Sequence, residues 1–260
     1  MNPDTLLTLY LALWMGVLGA VLGSFFDCAA ARRAAGAGWI PRGRSRCGAC
    51  GRELSARDLI PVVSFLLCRG KCRHCGAPIP ADCLGAELAG AAAFAGLAVR
   101  FGPSPVLVMW LLLAAVLLLI SLYDARTREI PNGALLFAAA VRAAFLFLLA
   151  EPLPQTLFDM ALGALAVPGA LLLLSLAMDK VLGRESLGGG DIKLLFVLGL
   201  YLGWAEMLLL LLAACILGIL WALRPGKKNA AIPFAPFLSA AAILVTIFGS
   251  GLVEWYLGLL

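Results

Sequence analysis

The stretch VLVMWLLLAAVLLLISLY, residues 106–123, decides the fold class, because it carries no charged side chain and is followed at once by Asp124. A helix needs about 20 apolar residues to cross the hydrocarbon core of a bilayer, which is about 30 Å thick. Over the whole chain of 260 residues, 63% are hydrophobic and only 13% are charged. Soluble domains are about one half apolar and about one quarter charged, so this composition excludes a soluble enzyme and indicates an integral membrane protein.

Further apolar stretches of helical length lie on both sides of this one. Together with residues 106–123 they make eight predicted spans, and the other seven are residues 6–26, 84–99, 133–150, 157–178, 192–203, 206–223 and 231–248. The sequence therefore predicts an all-α integral membrane fold with about eight transmembrane helices. We expect residues 1–26 to form the first transmembrane helix and residues 84–260 to form a seven-helix membrane domain.

The basic residues are concentrated in alternate loops. Residues 27–83, 124–132, 179–191 and 224–230 carry 17 of the 20 Lys and Arg residues, whereas the loops on the other side carry only Arg100. Because loops rich in Lys and Arg remain in the cytoplasm, these four loops are predicted to be cytoplasmic and both termini to lie outside. The net charge of +5 resides in loops next to membrane lipid, so we expect no nucleic-acid partner.

The longest of these loops, residues 27–83, contains two pairs of closely spaced cysteines. Two residues separate Cys47 from Cys50, and two separate Cys72 from Cys75. This spacing lets both sulfurs of a pair bind one ion, and two pairs complete the tetrahedral four-sulfur site that Zn²⁺ accepts. Unmodified thiols or disulfides are the alternatives, although a reducing compartment disfavours disulfides. Less favoured candidate ligands are His74, Cys68 and Cys83. We predict a small zinc-ribbon-like cytoplasmic domain in which zinc is structural, because a closed site leaves no position for a substrate.

Two carboxylates stand at the ends of predicted membrane helices. Asp124 ends the span quoted above, and Asp191 opens the sixth predicted span. Either residue alone could simply face lipid headgroups or stabilise a helix terminus. An ionisable group at membrane depth is costly, however, and usually functional. Two neighbouring carboxylates cannot both ionise readily, so one can activate water as a base while the other protonates a carbonyl oxygen. We therefore expect Asp124 and Asp191 to be the catalytic residues of an aspartyl protease.

The residues around the second aspartate are predicted to bind substrate. Gly188, Gly189 and Gly190 permit backbone conformations and close approaches that a side chain would block. An extended peptide is therefore expected to reach the carboxylates over these glycines. Lys193 is expected to bias the carboxylate pair electrostatically, and Glu87, just inside the second span, is a third candidate functional carboxylate.

These motifs together resemble the type IV prepilin peptidases. The resemblance is carried by Asp124 seven positions before Pro131, by residues 188–193, which fit the family pattern G-x-G-D-x-K, and by the two cysteine pairs. Further matching segments are Gly23-Ser24-Phe25, Ile60-Pro61, Arg69-Gly70-Lys71-Cys72 and Ile232-Pro233-Phe234-Ala235-Pro236-Phe237. The likeness extends over nearly the whole chain.

The resemblance implies a membrane aspartyl endopeptidase of the bacterial inner membrane. Such enzymes remove basic leaders from type IV prepilins or type II secretion pseudopilins at the cytoplasmic face, and Asp124 and Asp191 match their catalytic pair. Members with the cysteine loop commonly also N-methylate the new N terminus with S-adenosylmethionine. This chain has Asp27 where the family usually has Asn, and Asp82-Cys83-Leu84 where it has Arg-Tyr-Pro, although Glu87 is retained. Because these changes fall in the region associated with methylation, the resemblance implies cleavage more directly than methylation.

Two other classes of protein explain part of the sequence. A zinc-binding membrane transporter or assembly scaffold without enzymatic activity accounts for the composition and the cysteines, but it leaves the aspartates and the glycines unexplained. A methyltransferase without protease activity accounts only for the cysteine loop. Loss of prepilin processing when either aspartate is changed to asparagine separates the peptidase from the first class. Cleavage without added S-adenosylmethionine excludes the second.

Overall fold

A computed structural model describes most of the chain. The described residues are 3–39, 44–149, 152–183, 187–223 and 233–257. Within these ranges the regular structure is helical, and the only extended pairings are two isolated β-bridges. The predicted cytoplasmic loop at residues 224–230 lies outside the described residues.

The described ranges contain nine α-helices and one short 3₁₀ helix, Ala56–Leu59. The α-helices are α1 (Pro3–Ala34), α2 (Val63–Leu67), α3 (Ala81–Phe101), α4 (Pro105–Thr127), α5 (Asn132–Leu148), α6 (Leu153–Leu182), α7 (Gly189–Gly199), α8 (Trp204–Ala222) and α9 (Ala235–Leu257). Apart from α2, each α-helix overlaps one of the eight predicted spans. The prediction of an all-α membrane fold is confirmed.

Five of these helices are long and apolar enough to cross a membrane, namely α1, α3, α4, α6 and α8. The predicted number of eight spans is therefore not established. The clearest departure is α7, because its 11 residues give a length of only about 16 Å at 1.5 Å per residue. Such a helix is shorter than the hydrocarbon core, so at least one of its ends needs polar partners inside the protein.

The two helices that flank the cysteine segment extend further than predicted. The first span was expected to end at residue 26, but α1 continues to Ala34 through small, helix-favouring residues and ends with two basic residues in its last turn. Basic side chains at a helix C-terminus stabilise the helix through its dipole. Since α3 starts at Ala81, the segment between the two helices covers residues 35–80.

The chain divides into two compact units, Met1–Pro103 and Ser104–Leu260. The first unit contains α1, the cysteine segment with α2, and α3. Its two long helices touch through their backbones, because a Cβ added at Gly23 would overlap the main chain of Ala86. Small residues at such a contact are typical of helices that associate in a membrane.

The second unit is built around α4 and α7. Helix α4 packs against α5 and α9, while α7 packs chiefly against α6 and also contacts α5, α8 and α9. Leu117 and Ile120 of α4 and Leu195 and Leu198 of α7 are fully buried. Asp124 and Asp191 therefore project from the two helices at the centre of this unit.

Candidate active site

Asp124 lies in the last turn of α4 and is only 5% exposed. The backbone amide of Ala235, at the start of α9, faces its carboxylate. Oδ2 of Asp124 is buried without a hydrogen-bond partner among the described atoms, as is the hydroxyl of Ser239, one turn further along α9. A buried polar atom without a partner is costly, and such atoms are found where a protein reserves a group for chemistry or a ligand.

Asp191 lies in the first turn of α7, and its side chain is partly buried. The charge of Asp124 acts on the Asp191 carboxylate, so the two side chains lie within electrostatic range of each other. The fold thus brings together two carboxylates from distant parts of the sequence, one at the end of a helix and the other at the start of another. Their assignment as catalytic residues rests on this juxtaposition and stays a prediction.

The three glycines before Asp191 have ordinary backbone conformations. Gly188 has φ −65°, and none of the three belongs to the glycines with positive φ. The expectation that they permit unusual conformations is therefore wrong, and the space around them is the remaining reason for glycine. A Cβ added at Gly190 would lie 3.3 Å from Ile130, whereas a Cβ added at Gly189 would meet no described atom within 4 Å apart from its chain neighbours and the backbone of its own helix. The backbone of Gly189 is therefore open beside the carboxylates.

Lys193 links α7 to α5. Its Nζ donates a hydrogen bond to Oδ1 of Asn132 at 3.2 Å. Asn132 is the first residue of α5, and the expected electrostatic action of Lys193 on the aspartates stays a prediction. This exposed contact joins the first turn of α7, which carries Asp191, to the start of α5.

Two residues that the sequence did not assign hold the other end of α7. The buried Arg142 of α5 donates from Nε to the carbonyl oxygen of Leu200 at 3.0 Å, and the hydroxyl of Tyr201 donates to the carbonyl of Ala138 at 2.6 Å. The last carbonyl groups of a helix lack partners within the helix, and lipid provides none. Arg142 was detectable in the sequence as an arginine inside a predicted span, a placement that usually indicates a specific role.

The four predicted metal ligands converge in the first unit. The sulfur atoms of Cys47, Cys50, Cys72 and Cys75 all lie within 4.8 Å of one another, and those of Cys47 and Cys75 are 3.9 Å apart. In a tetrahedral site with Zn–S bonds of about 2.3 Å the sulfurs are about 3.8 Å apart. The cluster therefore fits zinc after movements of about 1 Å or less.

The two cysteine pairs adopt the same local fold. The carbonyl of Cys47 accepts from the amide of Gly51, and that of Cys72 from Gly76, both at 2.9 Å. The two glycines have φ values of 69° and 72°. Glycine is favoured there because other residues are strained in this region. Each pair is thus a preformed knuckle that presents two sulfurs.

Neighbouring groups perturb the thiols of the cluster. The backbone amides of Cys50 and Ala49 lower the pKa of the Cys47 thiol to about 6. At Cys75 the amide of Ala77 also favours the thiolate, but hydrogen bonds shared with the other thiols raise its pKa to about 11. Several thiolates this close repel one another, and a bound cation removes that conflict.

The alternative metal ligands contact other groups. Sγ of Cys68 accepts from Arg73 at 3.6 Å, and Sγ of Cys83 donates to Oε1 of Glu87 at 3.7 Å. The other oxygen of Glu87 accepts a 2.6 Å hydrogen bond from the backbone amide of Val62. Glu87 is buried and connects α3 to the start of α2. Its assignment to substrate binding stays a prediction.

A helical membrane unit with one buried carboxylate at the end of α4 and one partly buried carboxylate at the start of α7 defines, as a class, a membrane aspartyl protease. Residues 17–101 match the family described as the bacterial peptidase A24 N-terminal domain, and residues 111–223 match the type IV leader peptidase family. The chain belongs to the type IV leader peptidase family, whose two matched regions fall within the two compact units. This membership disfavours both the transporter or scaffold and the methyltransferase without protease activity.

Several bacterial proteins named prepilin leader peptidase/N-methyltransferase are similar to this chain. The protein of Bacillus subtilis (strain 168) is 33% identical over 246 residues, which cover 93% of this chain and 96% of that protein. The protein of Aeromonas hydrophila is 34% identical over 221 residues, covering 82% of this chain and 74% of its own length. That of Burkholderia pseudomallei (strain 1026b) is 36% identical over 227 residues, or 80% and 68% of the two chains. No solved structure matches this chain.

Proposed function

We propose that Asp124 and Asp191 are the catalytic pair with which this leader peptidase cleaves prepilins or type II secretion pseudopilins. The observation that carries the proposal is the convergence of two carboxylates on the central helices of one unit, Asp191 partly buried and Asp124 buried with one oxygen unpaired among the described atoms. Family membership supports leader-peptide cleavage as the reaction, and the positions of the two carboxylates support their proposed role in it.

The proposed mechanism uses the mutual repulsion of the two carboxylates. The charge on one disfavours ionisation of the other, so the pair retains one proton between them. The ionised carboxylate accepts a proton from water as the water oxygen attacks the scissile carbonyl carbon, and the protonated one donates to the carbonyl oxygen. Return of a proton to the leaving nitrogen then breaks the C–N bond.

The substrate peptide is proposed to approach over Gly189. Cleavage requires an extended backbone, whereas a helix in lipid keeps its amides hydrogen-bonded. The open space at Gly189 accommodates a locally unwound peptide beside Asp191. Gly190 has a different role, because it packs against Ile130 and so fixes the connection that follows α4.

The active site and the cysteine segment are proposed to face the cytoplasm of a bacterial cell, with both termini outside. The distribution of Lys and Arg supports this orientation, because 17 of the 20 lie in loops assigned to that side. A membrane-impermeant amine reagent should modify Lys71 in inverted membrane vesicles and leave it unmodified in intact spheroplasts. Modification in spheroplasts would reverse the topology.

The cysteine cluster is proposed to hold one structural Zn²⁺. No large side chain is fully buried among the described residues of the segment 35–80, so closure by a metal would contribute much of its folding free energy. All four positions of a tetrahedral ion would be filled by Cys47, Cys50, Cys72 and Cys75. The metal would therefore hold the backbone in place and take no part in hydrolysis.

N-methylation is a second proposed activity, and it is supported by the names of the relatives. Among the residues of the first unit whose burial is described, the buried carboxylates are Asp27 and Glu87, and both oxygens of Glu87 already accept hydrogen bonds from Val62 and Cys83. Because Glu87 is engaged within the protein, these residues do not fit a binding site for S-adenosylmethionine.

Mass spectrometry of the N terminus of a co-expressed prepilin tests both activities. We expect Asp124→Asn and Asp191→Asn each to leave the leader attached while the enzyme still inserts in the membrane, because an amide can neither accept nor donate the required proton. Cleavage at the normal rate by either variant would refute the catalytic assignment. A methylated N terminus after wild-type cleavage would support the second activity.

A further inference from the structure

An apolar surface on the cysteine segment is exposed. It consists of Leu59 and Ile60, next to the 3₁₀ helix, and of Val63, Leu66 and Leu67 in α2. The three α2 residues are spaced by three and four positions and so share one side of the helix. Their exposed fractions, with those of Leu59 and Ile60, range from 44% to 74%. We call these five residues the α2 face. A cluster of large apolar side chains on a surface indicates an interaction site.

A hydrogen bond ties the start of this face to α3. The amide of Val62, the N-cap residue of α2, donates to Oε2 of Glu87 at 2.6 Å. Glu87 lies six residues after the start of α3 at Ala81, and α3 is long and apolar enough to span the membrane. Six residues of helix correspond to about 9 Å. The start of α2 is therefore held beside the first two turns of a helix that can span the membrane.

Basic side chains flank the α2 face. Arg57 precedes it, Arg69 and Lys71 follow it, and all three are exposed. The carboxylate of Asp58 is paired with Arg73, with Nε and Oδ1 3.3 Å apart. The surroundings of the face are therefore positive. Anionic headgroups attract Lys and Arg close to the membrane surface, whereas a second copy of the chain would bring like charges together.

We propose that the α2 face docks on the anionic surface of the same membrane that α3 crosses. Leu66 and Leu67 enter the boundary between headgroups and acyl chains, and the flanking Arg and Lys side chains contact the headgroups. The cysteine segment is then an interfacial domain, attached to the bilayer by α1, by α3 and by its own apolar face. Its orientation relative to the membrane is fixed by these three attachments.

The test uses the full chain reconstituted in phosphatidylcholine vesicles with and without phosphatidylglycerol. A fluorescent amino acid replaces Leu67 in one variant and, in the control, Arg52, which is exposed on the first cysteine knuckle. Unfolding midpoints equal to that of the unlabelled protein verify both folds. We expect brominated lipid to quench the label at 67 about threefold more than that at 52, aqueous iodide to show the reverse order, and phosphatidylglycerol to widen the difference.

Other outcomes overturn the proposal. Equal quenching of both labels by iodide would place the α2 face in water. Protection of the label at 67 from both quenchers would show a protein occupant, either a second copy or another part of the chain. Lipid quenching that is the same with and without phosphatidylglycerol would remove the role of headgroup charge. A label at Ile60 repeats the measurement on the other side of the face, in case a substitution at 67 destabilises the segment.

Discussion

Replacing Arg142 by methionine removes the donor that supports the end of α7 opposite to Asp191. Nε of Arg142 is 3.0 Å from the Leu200 carbonyl, and the side chain is only 7% exposed. Methionine keeps an unbranched apolar stem, so the change removes charge and hydrogen bonding with little loss of volume. A fully buried carbonyl left without a donor costs about 1–3 kcal/mol, and the Leu200 residue is partly buried. Methionine carries no charge that must be desolvated, and this offsets part of the cost of the unpaired carbonyl. We therefore expect the free energy of unfolding to fall by about 1–2 kcal/mol.

Denaturant unfolding in detergent micelles measures this change, and prepilin cleavage by the same preparations measures its functional consequence. Arg142→Lys keeps a charged donor and should lose less stability than Arg142→Met. Tyr201→Phe removes the neighbouring hydrogen bond to Ala138 and should cost about 1 kcal/mol. Because α7 positions Asp191, the methionine variant should also cleave more slowly at saturating substrate. If Arg142→Met unfolds and cleaves like the wild type, the support of α7 by Arg142 has been overestimated.

Three further predictions concern the space beside the aspartates and the attachment of the cysteine segment. Gly189 is the first residue of α7, so Gly189→Ala should change the stability of the helix little yet slow cleavage, because it fills the open space. Gly190→Ala should in addition disturb packing on Ile130. Normal cleavage by Gly189→Ala would show that the space is not used. Purified protein should contain about one Zn²⁺ per chain, and changing the four clustered cysteines to serine should remove it. Chelation of the metal should make residues 35–80 sensitive to added protease. A gently purified protein that contains no metal would contradict this prediction. Glu87→Gln weakens the acceptor for the Val62 amide, so it should increase protease cleavage of the same segment without changing the zinc content. An unchanged digestion pattern would show that the hydrogen bond between Val62 and Glu87 is dispensable.

The position of each long helix could be predicted because it depends on local composition. An apolar run such as residues 106–123 has one low-energy structure in lipid, whatever surrounds it. The cysteine cluster could also be predicted from the sequence, since a knuckle is a turn of a few residues and its two ligands lie within that turn. The end of α1 was placed too early, because hydropathy falls after residue 26 while helix propensity does not.

The contacts that complete the site could not be predicted because they join residues far apart in the sequence. The pairing of Arg142 with Leu200 depends on the parallel packing of α5 and α7, and the approach of Ala235 to Asp124 depends on where α9 begins. The role of the glycines was also inferred incorrectly in part, since backbone angles at Gly188 are ordinary. A run of glycines indicates that side chains are disfavoured, but it does not distinguish a conformational reason from a steric one.

The two cysteine knuckles determine where the segment between them can gain or lose residues. When the four sulfurs meet, the chain from Cys50 to Cys72 becomes a ring closed at one point. The entropy of closing a flexible ring rises only with the logarithm of its length, so doubling the ring would cost about 0.6 kcal/mol. Each knuckle, by contrast, is a tight turn with a positive-φ glycine at Gly51 or Gly76 and has no room for an added residue. Insertions and deletions should therefore be tolerated between the knuckles and excluded within them. The length of the ring can then vary while the two knuckles keep the same number of residues.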